Sequence, residues 1–163
     1  MSGKCLVLAK ITNFIRLRIF VNVSGWLILQ KIVGMAKRKV EIEIYSYGEY
    51  AEWNRESKSI PRLVAITETI EATVGTEFGY VLRIRHGKGK RLDFRIDHPP
   101  FPDKEGKVTP PFTGEYFVRS NDYEFFLGDC IWEPLHDKLG NWTMTTWLEG
   151  KIVAQKTLRL IAK

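Results

Sequence analysis

The sequence predicts an all-β fold, an antiparallel β-sandwich of immunoglobulin-like topology with about seven or eight strands. Three observations predict it. After residue 39 apolar and polar residues alternate with a period of two, the mark of strands that have one buried and one wet face. Glycine, proline and asparagine clusters punctuate that alternation roughly every ten residues, as turns between short strands do. No segment of the same region sustains the period of a long helix. The Cys, Trp, Cys pattern of antibody domains is missing, so the expectation is the wider architecture.

Val40, Ile42 and Ile44 alternate with Glu41 and Glu43, giving a first strand that runs on into YSYGEY. AEWNRESKSIP is polar and closes on Pro61, a natural connection. VAITETIEATV places Val64, Ile66, Ile70, Ala72 and Val74 on one face, and its threonines and β-branched residues favour one strand over a helix. Phe78, Tyr80, Leu82 and Ile84 alternate in the next strand, HGKGKR turns, and Leu92, Phe94 and Ile96 return beside an outer face of Arg91, Asp93, Arg95 and Asp97. That pattern predicts a β-hairpin. HPPFPDKEGKVTPPFTG carries five prolines and cannot be a central strand, so it is an excursion or an edge-hugging loop. EYFVRS and YEFFLG flank a turn at Asn121-Asp122. GNWTMTTWLEGKIVAQKTLRLIA reads as strand, turn at Glu149-Gly150-Lys151, strand, with Trp142, Met144, Thr146 and Leu148 facing Ile152, Ala154, Leu158 and Leu160.

A chain of 163 residues is long enough for one domain with a sizeable core, and too short for two of ordinary size. Its formal charge of +6 is unevenly placed. Residues 1–39 hold eight bases and no acid, which leaves 17 bases against 19 acids, a net charge of −2, for the remainder. A nucleic-acid partner is therefore not expected, because phosphate neutralisation needs a basic surface on the folded body.

The expected organisation is a leader over 1–34 and a single sandwich domain over 35–163. The longest uncharged run of the leader, Ile19–Gln30, has twelve residues, whereas a membrane-spanning helix needs about 20. MAKRKVEIEI, from Met35, reads as a short basic N-terminus opening straight into a strand, so Met35 is the expected true start and the cytoplasm the expected location. The alternatives are a signal segment over 1–36, which would place the protein in the periplasm or outside the cell, and a retained basic anchor at a membrane surface. Cys5 falls in the leader and Cys130 stands alone in the body, so no disulfide staples the domain.

The series YGEY, VGTEFGYVLRI, IDHPP, IWEP and GNWTMTTWLEGKIVAQKTLRL resembles an uncharacterised bacterial family, domain of unknown function 3859, over about residues 45–162. The most distinctive part of the resemblance is Gly140, Trp142, Gly150, Lys151 and Lys156. It implies a small β-sandwich and brings no activity or ligand.

No motif carries recognisable chemistry. His86, His98 and His136 are too widely spaced for a zinc motif, and neither a metal nor any other cofactor is expected. HGKGKR lacks the helix that follows a phosphate loop and reads as a turn. Asp97 and His98 adjoin the proline stretch and could form a hydrolase-like pair, yet neighbours along a strand point to opposite faces. The simpler reading is that the prolines fix a rigid loop against which His98 packs. Cys130, beside Ile131 and Trp132, reads as a packed thiol.

Tryptophan is the surplus: Trp53, Trp132, Trp142 and Trp147 lie in the body. Trp142 and Trp147 fall on opposite faces of one strand, so one faces the core and the other the outer surface. The expectation is a non-enzymatic binding module for a protein partner, taken through an exposed sheet edge or an aromatic patch, with Trp147, Trp132, Glu133 and His98 as the candidate binding residues. A carbohydrate-binding sandwich is the first alternative, and two or more coplanar exposed aromatics would favour it. A hydrolase-like enzyme using His98 and Asp97 is the second.

Overall fold

Two packed sheets are built from nine strands among the described residues: β1 (Glu41–Tyr50), β2 (Leu63–Ala65), β3 (Thr69–Glu71), β4 (Glu77–Arg85), β5 (Arg91–Asp97), β6 (Phe112–Phe117), β7 (Asp122–Cys130), β8 (Gly140–Leu148) and β9 (Lys151–Ile161). The structure is a computed structural model and describes residues 38–54 and 59–163. The expected leader, the start at Met35 and the signal and anchor alternatives lie outside the described residues.

The four-stranded sheet has the order β2-β1-β4-β7 and the five-stranded sheet the order β3-β9-β8-β5-β6. All pairings are antiparallel except β3 with β9. The core between the layers is made by alternate residues of both inner faces, with Phe78, Tyr80, Leu82 and Ile84 opposing Leu92, Ile96, Trp142, Met144 and Leu158. The all-β sandwich expected from the period-two pattern is the fold observed.

Three local expectations are corrected. VAITETIEATV is two short strands, because the chain leaves the four-stranded sheet after Ala65 and joins the other at Thr69. Such a sheet switch breaks the alternation. Ile70 and Ala72 are buried while Val64, Ile66 and Val74 are exposed. The extra strand raises the count to nine.

The predicted hairpin over residues 78–96 is an arch, since β4 and β5 lie in different sheets. The residues joining β6 to β7 arch over the same end. His86 N–H donates to Asn121 O, Gly89 N–H to Val118 O and Val118 N–H to Lys90 O, at 2.7–2.9 Å, which ties the two arches together. Alternating strands give the same sequence signal in an arch as in a hairpin, so periodicity could not distinguish them.

Ile152 is exposed, not inward. Glu149 and Gly150 both have positive φ, 52° and 76°, as a two-residue hairpin turn requires. The β8–β9 register then slips between Thr146 and Trp147. That bulge moves Ile152 to the outer face beside Trp147. A similar slip in β1 between Ile44 and Ser46 brings Tyr47 to the core side, while Tyr45 stays on the outer face with Glu41 and Glu43, where Arg83 lies 3.7 Å from its ring centre.

Gly48, Gly79 and Gly128 stand in register across β1, β4 and β7. A Cβ on Gly48 would lie 2.3 Å from Ala65 O, and one on Gly128 would lie 2.4 Å from the Phe126 ring. The bare backbone lets the 63–67 segment and the Phe126 ring lie against the sheet.

Candidate functional site

His98 and Trp132 meet at one end of the sandwich. His98 leaves β5 and packs among Phe101, Phe112 and Trp142, with ring centres 4.4, 4.7 and 5.4 Å away. Its Nδ1 lies 2.8 Å from Pro99 O and its Nε2 lies 3.1 Å from Pro110 O. A carbonyl only accepts, so the ring nitrogen that carries the proton donates to the carbonyl beside it, and the His98 ring sits between the two ends of the proline loop. Asp97 does not join it. The Arg95 Nε and Nη2 donate to Asp97 Oδ1 at 2.8 and 2.5 Å on the outer face, so the pair needed for general-base work is not assembled.

Trp132 packs edge-on to Phe101 at 5.7 Å and to Trp142 at 6.2 Å, and is half-buried. Glu133, next in the chain, is exposed and precedes Pro134 through a cis peptide bond.

Sequence reasoning missed the centre of this end. Lys138 is buried, with its Nζ 4.3 Å from the Phe101 ring centre and 4.9 Å from that of Trp132. It donates to Asp137 Oδ1 at 2.5 Å. A cation over two aromatic faces and beside a carboxylate is held by charge and quadrupole together. A lone lysine in HDKLGN gives no sign of this, because the rings that enclose it come from distant segments.

Trp147 is elsewhere, on the outer face of the five-stranded sheet. Register aligns Glu115, Asp93, Trp147 and Ile152 in one row across β6, β5, β8 and β9. The next row is Thr113, Arg95, Thr145 and Gln155. Between the rows lies a shallow depression of about 450 Å³, lined by Asp93, Arg95, Thr113, Glu115 and Trp147 among others.

Arg91 holds both acids of the first row, 3.1 Å from Asp93 and 3.4 Å from Glu115. Such exposed pairs contribute only about 0–1 kcal/mol each, so they shape the face more than they stabilise it. Gln155 Nε2 donates to Thr145 Oγ1 at 3.1 Å. The result is an aromatic and aliphatic pair, Trp147 and Ile152, with a rim of ion-paired charges and hydroxyls. Trp142, on the opposite face of the same strand, is fully buried.

Among the described residues no second ring stacks beside Trp147, and no group of three or more His, Cys, Asp or Glu is placed to hold a metal ion. Among the same residues no helix is long and apolar enough to cross a membrane.

A family model described as Domain of unknown function (DUF3859) matches residues 38–160. The chain belongs to that family. Gly140, Trp142, Gly150 and Lys156 of the family resemblance have structural roles here: Gly140 passes Pro99 at positive φ, Trp142 fills the core, Gly150 makes the β8–β9 turn, and Lys156 donates to Glu68 Oε1 at 2.5 Å. Among solved structures, the chain is similar to an immunoglobulin-like protein from Pseudomonas aeruginosa, with a TM-score of 0.62 and 17% identity over 77% of this chain and 99% of that one. This likeness shows the fold alone. No curated protein matches the chain.

Proposed function

We propose that the chain is a non-enzymatic binding module that takes another polypeptide on the outer face of the five-stranded sheet, with Trp147 as the anchor. The observation that carries this reading is the pairing of Trp147 with Ile152, which is 58% exposed, on a flat face rimmed by polar side chains. Centrally placed tryptophans surrounded by polar contacts are the usual anchors of protein interfaces. A single aromatic–aliphatic patch suits a protein better than a sugar, which is gripped by several coplanar rings. The body holds Cys130 with no second cysteine, in keeping with a reducing compartment, and we place the module in the cytoplasm.

Retention of proteins from the source cell by the full chain and by its Trp147→Ala variant tests the reading. The expected result is a defined polypeptide held by the first and released by the second. An unchanged retained set sinks it. The row of Thr113, Thr145 and Gln155 favours sugar as the second reading. Quenching of tryptophan fluorescence by soluble oligosaccharides, lost in Trp147→Ala, would establish that one instead.

A further inference from the structure

We infer that β7 is a strand-addition edge, built to pair with an extended segment of a partner polypeptide that carries basic side chains two residues apart. The two sheets have four edges: β2 and β3 with three residues each, β6 with six and β7 with nine. Natural edges of that length are usually blunted by lysine, proline or a bulge. β7, DYEFFLGDC, has neither residue, and its register with β4 runs unbroken from Asp122↔Arg85 to Cys130↔Glu77.

The ladder decides which backbone groups face outward. Ile131 N–H donates to Thr76 O, so the alternation of an antiparallel pair turns odd-numbered residues of β7 toward β4 and even-numbered ones away. Side chains occupy both ends of the outward row: Ser120 Oγ donates to Asp122 O at 2.5 Å, and Cys130 N–H donates to Asp129 Oδ1 at 2.9 Å. Glu124, Phe126 and Gly128 lie between these caps, and among the described residues β7 has β4 as its only strand neighbour.

Charge selects the partner. Glu41, Arg85 and Asp122 stand in register across β1, β4 and β7, as do Glu43, Arg83 and Glu124. Both rows alternate acid, base, acid and end at the edge on an acid. Arg83 lies 3.2 Å from Glu124. A strand added beside β7 extends the alternation if it sets a base opposite Asp122 and another opposite Glu124. A second copy cannot do this through its own β7, which contains no base in any register. Trp147 belongs to the other sheet, so the test below and the test of that face fail independently.

The experiment titrates the full chain with the capped peptide Thr-Val-Arg-Val-Arg-Val-Thr and with its counterpart carrying Glu for Arg, reading amide shifts and hydrogen exchange by NMR. The arginine peptide is expected to shift the Glu124 and Phe126 amides and slow their exchange. Reversing two cross-strand charge pairs is expected to weaken the glutamate peptide by about tenfold. Asp122→Lys is expected to narrow that difference without moving the free chain's other amides. Unmoved β7 amides at millimolar peptide, or equal binding of the two peptides, overturns the proposal. So does concentration-dependent dimerisation that protects the same amides.

Discussion

Tyr80 Oη and Thr146 Oγ1 share a buried hydrogen bond of 2.6 Å that crosses the core from the four-stranded to the five-stranded sheet. Burial, partly offset by that bond, pushes the Tyr80 phenol up to about 12. Burial also raises Tyr50 and Tyr123, the latter helped by its bond to Tyr116. In the unfolded chain these phenols ionise near 10. From pH 10 to about 12 the unfolded state has released a proton that folded Tyr80 keeps, so stability is whole below pH 10 and falls as pH rises through that window. A shift of this size corresponds to about 2–3 kcal/mol. Tyr80→Phe is expected to lower stability by about 1 kcal/mol at neutral pH and to flatten the alkaline loss. Urea unfolding at pH 8 to 12 checks it, and parallel losses in both proteins refute the assignment.

Lys138 and Asp137 form a buried, nearly dry pair against Phe101 and Trp132. Removing one partner strands the other charge. Asp137→Ala is expected to destabilise by about 2–4 kcal/mol, and the double variant Asp137→Ala/Lys138→Met, which fills the same aromatic space and leaves neither charge behind, by less than about 1 kcal/mol. Denaturant midpoints of the two variants give the comparison, and a double variant as unstable as Asp137→Ala contradicts it.

Gly48 has a φ of 125° and no room for a side chain against Ala65 O. Gly48→Ala combines backbone strain with a backbone clash, and a loss of about 2–4 kcal/mol is expected. Gly106, with a positive φ of 79° but open space around it, should lose only about 1 kcal/mol on the same change. Thermal unfolding of both variants separates the two causes.

Trp142 and Trp147 share a strand and differ in fate. Trp142→Ala empties the core and should cost about 3–5 kcal/mol, whereas Trp147→Ala on the half-exposed outer face should cost about 1 kcal/mol or less. Guanidinium unfolding measures both. A loss at Trp147 close to that at Trp142 would make it a structural residue and remove the anchor of the proposed interface.

The alternation of Phe78 to Ile84, Leu92 to Ile96 and Trp142 to Leu148 made the layers and most of the core legible, because side-chain period depends on local backbone alone. Connectivity was not legible. Hairpin and arch both join two alternating strands, and only the third dimension decides whether Leu82 pairs with Phe125, as it does, or with a residue of the following strand. The slip beside Trp147, which exposes Ile152, is invisible for the same reason. Of the candidate residues, His98 and Trp132 both pack against Phe101, while Lys138, which lies over the Phe101 and Trp132 rings, gives no signal in the sequence.

The arches also govern how quickly this chain can find its fold. Among the described residues only β8 and β9 are joined by a tight turn, so of the described strands they alone can close as a local ribbon within microseconds. The other long ladders, β1 with β4 and β4 with β7, must wait for distant segments to meet. The expected consequence is that the C-terminal ribbon seeds folding and that these long-range ladders set its rate.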